Sequence, residues 1–430
     1  MIACKFGGSS LADAQNIRRA ADIIRANPER RFVVVSAPGK RNAGDTKITD
    51  HLIRFYHTGD VKDFQPIEDR FAEIISELGV EIDLSQDYAE MKHQRHNVDY
   101  MASCGEYLSA RIMAAYLGWP FVDTEFCVFF DEQGRLDRRK TERTLRDKLS
   151  QLEHAVLPGY YGAMPDGQVH TFSRGGSDIS GALVAAAMHA EVYENWTDVN
   201  GILTADPRIV SQAVTIPTIT YEELQEMTYQ GATVLHEDAV RPAWDAGIPI
   251  HICNTFCPEA EGTWIRAENV THDNPVTGVA GRKGFSVISI EKEKMNAMVG
   301  YVRKTLSCLE RYSVAFEHMA TGLSAFSLVV PTAALESCRD ALTQDIRKAV
   351  DPDRLEITDG FAMIAVVGFG MMNRPGISGK LFSAVGDIGT NVRIIDQGGS
   401  PMSIVIGVEE ACFEDSTRAI YKKFFDCASA

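Results

Sequence analysis

Residues 172–201 read FSRGGSDISGALVAAAMHAEVYENWTDVNG. An alanine-rich helical stretch begins just behind Arg174, Gly175, Gly176, Ser177 and Asp178, and runs into the apolar strand pattern of VYENWT. Loop, helix, strand and loop in that order form the repeating unit of an α/β fold. The start of the helix also speaks to chemistry. Its first N–H groups have no partner inside the helix, and the macrodipole is positive there. Arg174 adds a planar fork suited to a carboxylate or phosphate, while Gly175 and Gly176 let a ligand approach the backbone closely. Such a place holds an anion.

The pattern extends outward on both sides. MIACKF reads as a short buried strand, and LADAQNIRRAADIIRAN as a helix with Ile17, Ala20, Ile23 and Ile24 on one face. RFVVVSAP is a second strand closed by Pro38, followed by the charged loop GKRNAGDTK. Helices are expected over roughly 49–79 and 98–117, strands in PFVDTEFCVFF, HAVLPGYYG and AEVYENWT, and helical turns before the strand IPIHICN. This alternation predicts a mainly parallel sheet covered on both faces. Ligands in such sheets sit beyond the carboxyl ends of the strands. The loops after MIACKF, RFVVVS, HTFS and YENWT are therefore expected to meet at one crevice.

The chain has 430 residues and a formal charge of −16. That length allows two or three domains, and the charge argues against nucleic acid or an anionic membrane as partner. Its nine cysteines show no paired C-x-x-C arrangement, and Cys253 and Cys257 lack nearby histidines. Reduced thiols in a cytoplasmic protein are the expected state. MIACKFGGSS turns to glycine too soon for a signal peptide, and no apolar run is long enough to span a membrane.

Beyond about residue 280 the texture changes. KTLSCLERYSVAFEHM matches GKLFSAVGDIGTNVRII, and SAFSLVV matches PMSIVIGV. Each copy reads as a modest helix followed by two alternating strands, giving a duplicated α+β module that is expected to bind a ligand between its copies. VVGFGMMNRPG lacks the third glycine of a dinucleotide fingerprint, with Asn373 in its place, and reads as a strand–helix turn.

Four stretches carry chemistry. In CKFGGSS a lysine ends a buried strand before two glycines and two hydroxyls, a nest of donors beside a point charge that suits phosphate. SRGGSD is the anion site described above. WTDVNGILTADPR ends a strand with Thr197 and Asp198, which can meet a ribose, an adenine edge or hydrated Mg²⁺, and brings Arg208 back from a Pro-fixed turn. MASCGEYLSARI sets Glu106 beside a glycine, where it could take a substrate ammonium or cap a helix.

Together these stretches resemble the aspartate kinases of the amino-acid-kinase family. KFGGSS, SAP…KITD, SCGEYL, FSRGGSD, WTDVNGILTADPR and GATVLH occur in that family's order, and the C-terminal repeat resembles its tandem ACT domains. The resemblance implies a three-layer amino-acid-kinase sandwich over 1–280. It also implies a tandem ACT (ferredoxin-like) region over 281–430, with modules near 291–360 and 361–430 and a strand near 284–290. It further implies ATP-dependent, Mg²⁺-assisted phosphorylation of the L-aspartate β-carboxylate, the step that opens lysine, threonine and methionine synthesis.

By the same resemblance, Lys5 would neutralise the transferring phosphoryl group, and Gly7, Gly8 and Ser9 would cradle phosphate. Arg174 would clamp the aspartate α-carboxylate, and Glu106 with Asp178 would take its ammonium. Ser36, Thr49, Gly175, Gly176 and Ser177 would orient the substrate. Thr197, Asp198, Leu203, Arg208, Thr233 and Val234 would handle ATP, with Mg²⁺ on its phosphates and no assigned protein ligand. The carboxylate is already a nucleophile, so no general base is needed.

Two departures stand out. Thr233 occupies the place of a family lysine that reaches the phosphates, and Leu203 that of an aromatic beside adenine. Lys40, Arg41 or Lys47 of the charged loop is expected to substitute for the missing cation. Met295, Met298 and Glu317 fall where lysine-inhibited relatives hold their effector, so feedback by lysine or threonine is expected. A homodimer or higher oligomer is expected from ACT pairing, and a monofunctional enzyme because no dehydrogenase-like extension follows. The alternatives are a catalytically silent amino-acid sensor, or a related kinase with another substrate.

Overall fold

The computed structural model describes all residues except 95–96, 174, 233–234, 236, 268–273, 399–401 and 427–430. The chain divides into two compact units. The first comprises 1–202, 215–224 and 233–270, the second 203–214, 225–232 and 271–430.

The first unit is built on a seven-stranded sheet in the order Ala155–Pro158, Arg30–Val35, Ile2–Phe6, Val192–Thr197, Ile250–Asn254, Thr263–Arg266, Thr218–Thr220. The first five strands run parallel, and only the pairing of Ile250–Asn254 with Thr263–Arg266 is antiparallel. The short strands Ile2–Phe6 and Arg30–Val35 are central and almost wholly buried, as a sheet covered on both faces requires. Alternation along them separates two layers. Cys4, Phe6, Val33, Val35 and Trp196 join one core with Ala14–Arg25, Ile48–Thr58, Val61–Leu78 and Val98–Leu117. Lys5 and Asn195 point the other way, toward Gly176–Ala187.

Three local expectations need correcting. The region 49–79 is two helices, because Gly59 at φ 67 ends the first and Asp60 caps the next by accepting from the Lys62 N–H. A further helix, Ser85–His93, precedes Val98–Leu117. PFVDTEFCVFF forms no strand. Asp123 accepts from the Glu125 N–H and from the Tyr161 hydroxyl, turning Thr124–Phe126 into a 3₁₀ helix that leaves only isolated bridges on either side.

The second unit carries a six-stranded antiparallel sheet in the order His318–Thr321, Ala325–Pro331, Gly278–Glu291, Arg354–Val367, Ser403–Glu409, Ile394–Asp396. The two fourteen-residue strands at its centre pair along their length, with register shifts next to Gly284 and Gly360, both at positive φ. Their halves serve different modules. One half packs with Tyr301–Arg311 and Arg339–Val350 around Ile288, Phe326, Leu342 and Ile346. The other packs with Ile377–Asp387 and Phe413–Phe425 around Ile364, Leu381, Ile406 and Ile420. Each module therefore has a second helix that the repeat did not reveal, and the later module takes a strand from in front of the earlier one. VVGFGMMNRPG is indeed a strand followed by a turn into a helix.

Candidate active site

In the first unit, the carboxyl ends of Ile2–Phe6, Arg30–Val35 and Val192–Thr197 open into a cavity of about 470 Å³, lined by Gly8, Ser9, Ser36–Lys40, Lys47, Thr49, Glu106 and Asp198. Three of the four loops expected to meet at one crevice line it, those after MIACKF, RFVVVS and YENWT; among the described residues, none from the loop after HTFS does. Its floor is set by a backbone clasp. The Gly39 N–H donates to the Gly8 carbonyl at 2.8 Å, and a Cβ on Gly39 would lie 2.7 Å from the Gly8 carbonyl carbon. No side chain fits at that crossing, which brings the two loops together.

Lys5 lies at the end of the first strand, buried, with Nζ 2.6 Å from Oδ1 of Asp178. Asn195 sits directly across from Lys5 on the neighbouring parallel strand. Its Nδ2 donates to the same Oδ1 at 2.9 Å. Asp178 is in the first turn of Gly176–Ala187, and the Tyr193 hydroxyl donates to its carbonyl at 3.0 Å. Lysine, asparagine and aspartate thus form one triangle between two strands and a helix start. The adjacent acid Glu194 faces the opposite layer, where it accepts from Arg30 and the Trp196 indole and is structural.

Glu106 is on Val98–Leu117, which brings it to the cavity because its neighbour Gly105 lies against Ala37, Ile48 and Leu52. It is only 6 % exposed, and its Oε2 has no hydrogen-bond partner. Burial pushes its carboxyl up to about 8, against the pull of the Ala37 N–H and the Lys5 charge. A buried acid with an open acceptor at a cavity wall is a costly arrangement unless a donor completes it.

The loop between Arg30–Val35 and Ile48–Thr58 is fastened from behind. Buried Arg70 donates to the carbonyls of Ala12 and Gly39 and pairs with Asp45. Arg41 pairs with Asp45 at 3.2 Å and with Glu73 at 2.9 Å. Burial raises the Asp45 carboxyl, but the Arg41 N–H, its guanidinium and Arg70 together hold it well below the usual range.

The expected residues fall into four groups. Gly8, Ser9, Ser36, Thr49, Glu106 and Asp198 line the cavity, and Gly7 and Lys5 adjoin it, since a Cβ on Gly7 would lie 3.4 Å from Lys5 Nζ. Gly175 (φ 59), Gly176 and Ser177 form the helix start at Asp178, and the Thr197 hydroxyl donates to Asp198 at 3.3 Å. Arg174, Thr233 and Val234 lie outside the described residues. Leu203 and Arg208 belong to the second unit, where Arg208 is exposed and held by Asp206 at 2.6 Å.

The residues expected to hold an effector differ in availability. Met295 is buried in the core of the earlier module, and Met298 is 43 % exposed. The Glu317 carboxylate accepts from Arg282 at 2.8 Å and from the Tyr229 hydroxyl.

Two residues escaped the sequence reading. Asn195 was legible in principle, since parallel alternation sets it beside Lys5. Tyr160 was not. It takes φ 81, its N–H donates to Ser180 Oγ at 3.0 Å, and its ring packs against Gly176 at the helix start. A left-handed tyrosine costs about 1–3 kcal/mol and is typical of ligand clamps.

The amino acid kinase family model matches residues 1–254, and an ACT domain model matches 364–424. Aspartokinase 3 of Bacillus subtilis is 31% identical over 448 aligned positions, covering 99% of this chain and 99% of that protein. The chain belongs to the amino acid kinase family, among the aspartokinases. The structure of Clostridium acetobutylicum aspartate kinase, described as an allosteric enzyme, matches this aspartokinase fold with a TM-score of 0.94 at 42% identity. It covers 99% of this chain and 100% of that one. Escherichia coli aspartokinase III, solved with aspartate and ADP in its R-state, matches with a TM-score of 0.77 at 25% identity, covering 99% and 100%. Among the described residues, no helix is long and apolar enough to cross a membrane.

Proposed function

We propose that this aspartokinase transfers the γ-phosphoryl group of ATP to the β-carboxylate of L-aspartate, giving 4-phospho-L-aspartate and ADP. The observation that carries the reading is Glu106. Its buried carboxyl, with one oxygen unpartnered at the cavity wall, suits the ammonium of an amino acid better than any anion. Membership among the aspartokinases supports the same assignment.

The roles then follow from charge and reach. Glu106 takes the ammonium, and Arg174 the α-carboxylate. Ser36 and Thr49 orient the β-carboxylate along the cavity. Gly8 and Ser9 offer N–H donors to phosphate on a turn that Gly7 opens, its own N–H donating to the Trp196 carbonyl. Lys5 stabilises charge on the transferring group, with Asp178 and Asn195 fixing its position. Thr197, Asp198, Leu203, Arg208, Thr233 and Val234 serve the nucleotide. A β-carboxylate oxygen forms the new bond to phosphorus, and the bond to the bridging oxygen breaks with its electron pair leaving on ADP. No proton moves.

Among the described residues, no cluster of three or more acids, histidines or cysteines could hold a metal alone. Mg²⁺ would enter on the ATP phosphates, with Asp198, which lines the cavity, as the acid within reach of it. Bound there it neutralises phosphate charge.

The ACT modules are proposed to carry feedback by lysine or threonine and to pair into a homodimer, in a protein of the cytoplasm. An effector amine at Glu317 would have to compete with Arg282. The deciding experiment is ATP-dependent aspartyl hydroxamate formation, with glutamate, N-acetylglutamate and UMP as rival acceptors. Turnover of a rival in preference to aspartate would overturn the assignment.

A further inference from the structure

The cavity needs positive charge that its known parts do not supply. A nucleotide triphosphate brings several negative charges, and a dicarboxylic acceptor brings more. Among the residues at the cavity, Lys5 is already paired with Asp178, while Glu106 and Asp198 are acids. The remaining ionisable residues lining the wall are Lys40 and Lys47. Among the described residues, neither ammonium takes part in an ion pair or hydrogen bond; the Lys47 carbonyl only accepts from the Asp50 and His51 N–H groups at the helix start.

The loop bearing these two lysines has been sorted by charge. Arg41, between them, is spent on Asp45 and Glu73, and buried Arg70 grips Asp45 and the Gly39 carbonyl from behind. These ties fix the loop at both ends of its polar stretch. Lys40 follows directly on the Gly8–Gly39 clasp, so its backbone is anchored against the phosphate-binding turn. Lys47 is the residue before Ile48–Thr58, and that helix start has no side-chain cap. Lys47 and Thr49, at this start, both line the cavity, so the positive end of the helix dipole lies beside it. The unpartnered Oε2 of Glu106 in the same cavity marks it independently as a place built for a ligand.

We propose that Lys47, together with Lys40, is the second cationic contact for the terminal phosphates of the nucleotide, opposite Lys5. Arg41, the third cation of the loop, is a structural brace. The inference rests on the phosphotransfer reading of this site. It assigns the charge that Lys5 alone cannot provide to a loop beside the phosphate turn.

The test uses the full chain and its Lys40→Ala, Lys47→Ala and double variants. Calorimetry with the Mg²⁺ complex of the β,γ-imido analogue of ATP, and separately with aspartate, gives a readout independent of turnover. Each single variant is expected to bind the analogue roughly tenfold more weakly, and the double variant more weakly still. Aspartate affinity should stay within about twofold of the parent. Lys47→Arg should recover most of the nucleotide affinity. The proposal is overturned if the double variant binds the analogue like the parent. It is equally overturned if only aspartate binding is lost, for then the lysines serve the acceptor. A parent chain that binds the analogue but forms no aspartyl hydroxamate would sink the reaction assignment instead, and the analogue titration would still judge the lysines.

Discussion

Two acids, the buried Glu106 of the first unit and the half-buried Glu317 of the second, teach opposite lessons. Glu106 in the first unit lies at a cavity with an oxygen unpartnered. Glu317 in the second is held by Arg282 and the Tyr229 hydroxyl. Glu106 lies within the helix Val98–Leu117 and Glu317 just before the short strand His318–Thr321, and both are expected binders of an amine. The difference lies in what each has already been given. A buried charge without a partner is destabilising and persists where a ligand completes it, whereas a paired one belongs to the fold. On the proposed reading, the first pattern belongs to a ligand site and the second to a structural joint.

The sharpest way to break this contrast is to remove the unpartnered acid. Glu106→Gln keeps the shape and loses the charge, so kcat/KM for aspartate is expected to fall roughly 10²–10³-fold. The same variant should gain stability at alkaline pH. The folded-state pKa of Glu106 stands at about 8, above its value of 4.5 when unperturbed. Between those values the folded chain binds more protons than the unfolded one. The stability tied to this group is thus fully present below about 4.5 and lost as pH rises through about 8. Thermal melts from pH 5 to 9 should therefore show a decline in the parent, on the order of a few kcal/mol, that the glutamine variant lacks. A parallel decline in both proteins would mean that Glu106 is not the strained group.

The same shift predicts how substrate binding responds to pH. An ammonium docks on the ionised carboxylate, so aspartate binding must expel a proton wherever free Glu106 is protonated. Aspartate affinity should weaken by up to tenfold per pH unit below about 8. Calorimetry at pH 7 in buffers of different ionisation enthalpy should detect proton release. No buffer dependence would mean the ammonium binds elsewhere.

A smaller effect is expected from the triangle behind the cavity. Asn195→Leu keeps the branched skeleton but leaves the Asp178 carboxylate held by Lys5 alone. Lys5 would then sit less firmly over the transferring group, lowering kcat by about tenfold with KM for aspartate unchanged. A variant that changes KM and leaves kcat intact would place Asn195 in substrate binding instead.

The sequence made the polar side of this site legible for a simple reason. Lys5 lies next to the end of a buried strand, Gly8, Ser36 and Asp198 follow the ends of buried strands, and in a parallel sheet those ends converge. Glu106 was harder, since a helical acid beside glycine reads equally well as a cap; only its burial and open oxygen distinguish the two. Asn195 could have been found by alternation, but Tyr160 could not, because its left-handed backbone is imposed by the helix start it packs against. The second unit was legible as a repeat from its apolar periodicity. Its shared long strands were not, since register shifts at Gly284 and Gly360 divide each strand between two cores without any break in strand pattern.

The smallest expected effect tests the other half of the contrast. If Glu317 is a joint, then Glu317→Gln removes a partner from Arg282, whose Nε is already unbonded and buried, and from the Tyr229 hydroxyl. The melting temperature should drop by a few degrees, for a loss of about 1–2 kcal/mol. Inhibition by lysine or threonine, where the parent shows it, should shift by no more than about twofold, because an effector's amine cannot displace a guanidinium that is tethered in place and effectively at high local concentration. A tenfold loss of inhibition with an unchanged melting temperature would reverse the assignment. Glu317 would then be an acid that exchanges its internal cation for a ligand, and pairing with Arg282 would describe only the effector-free state.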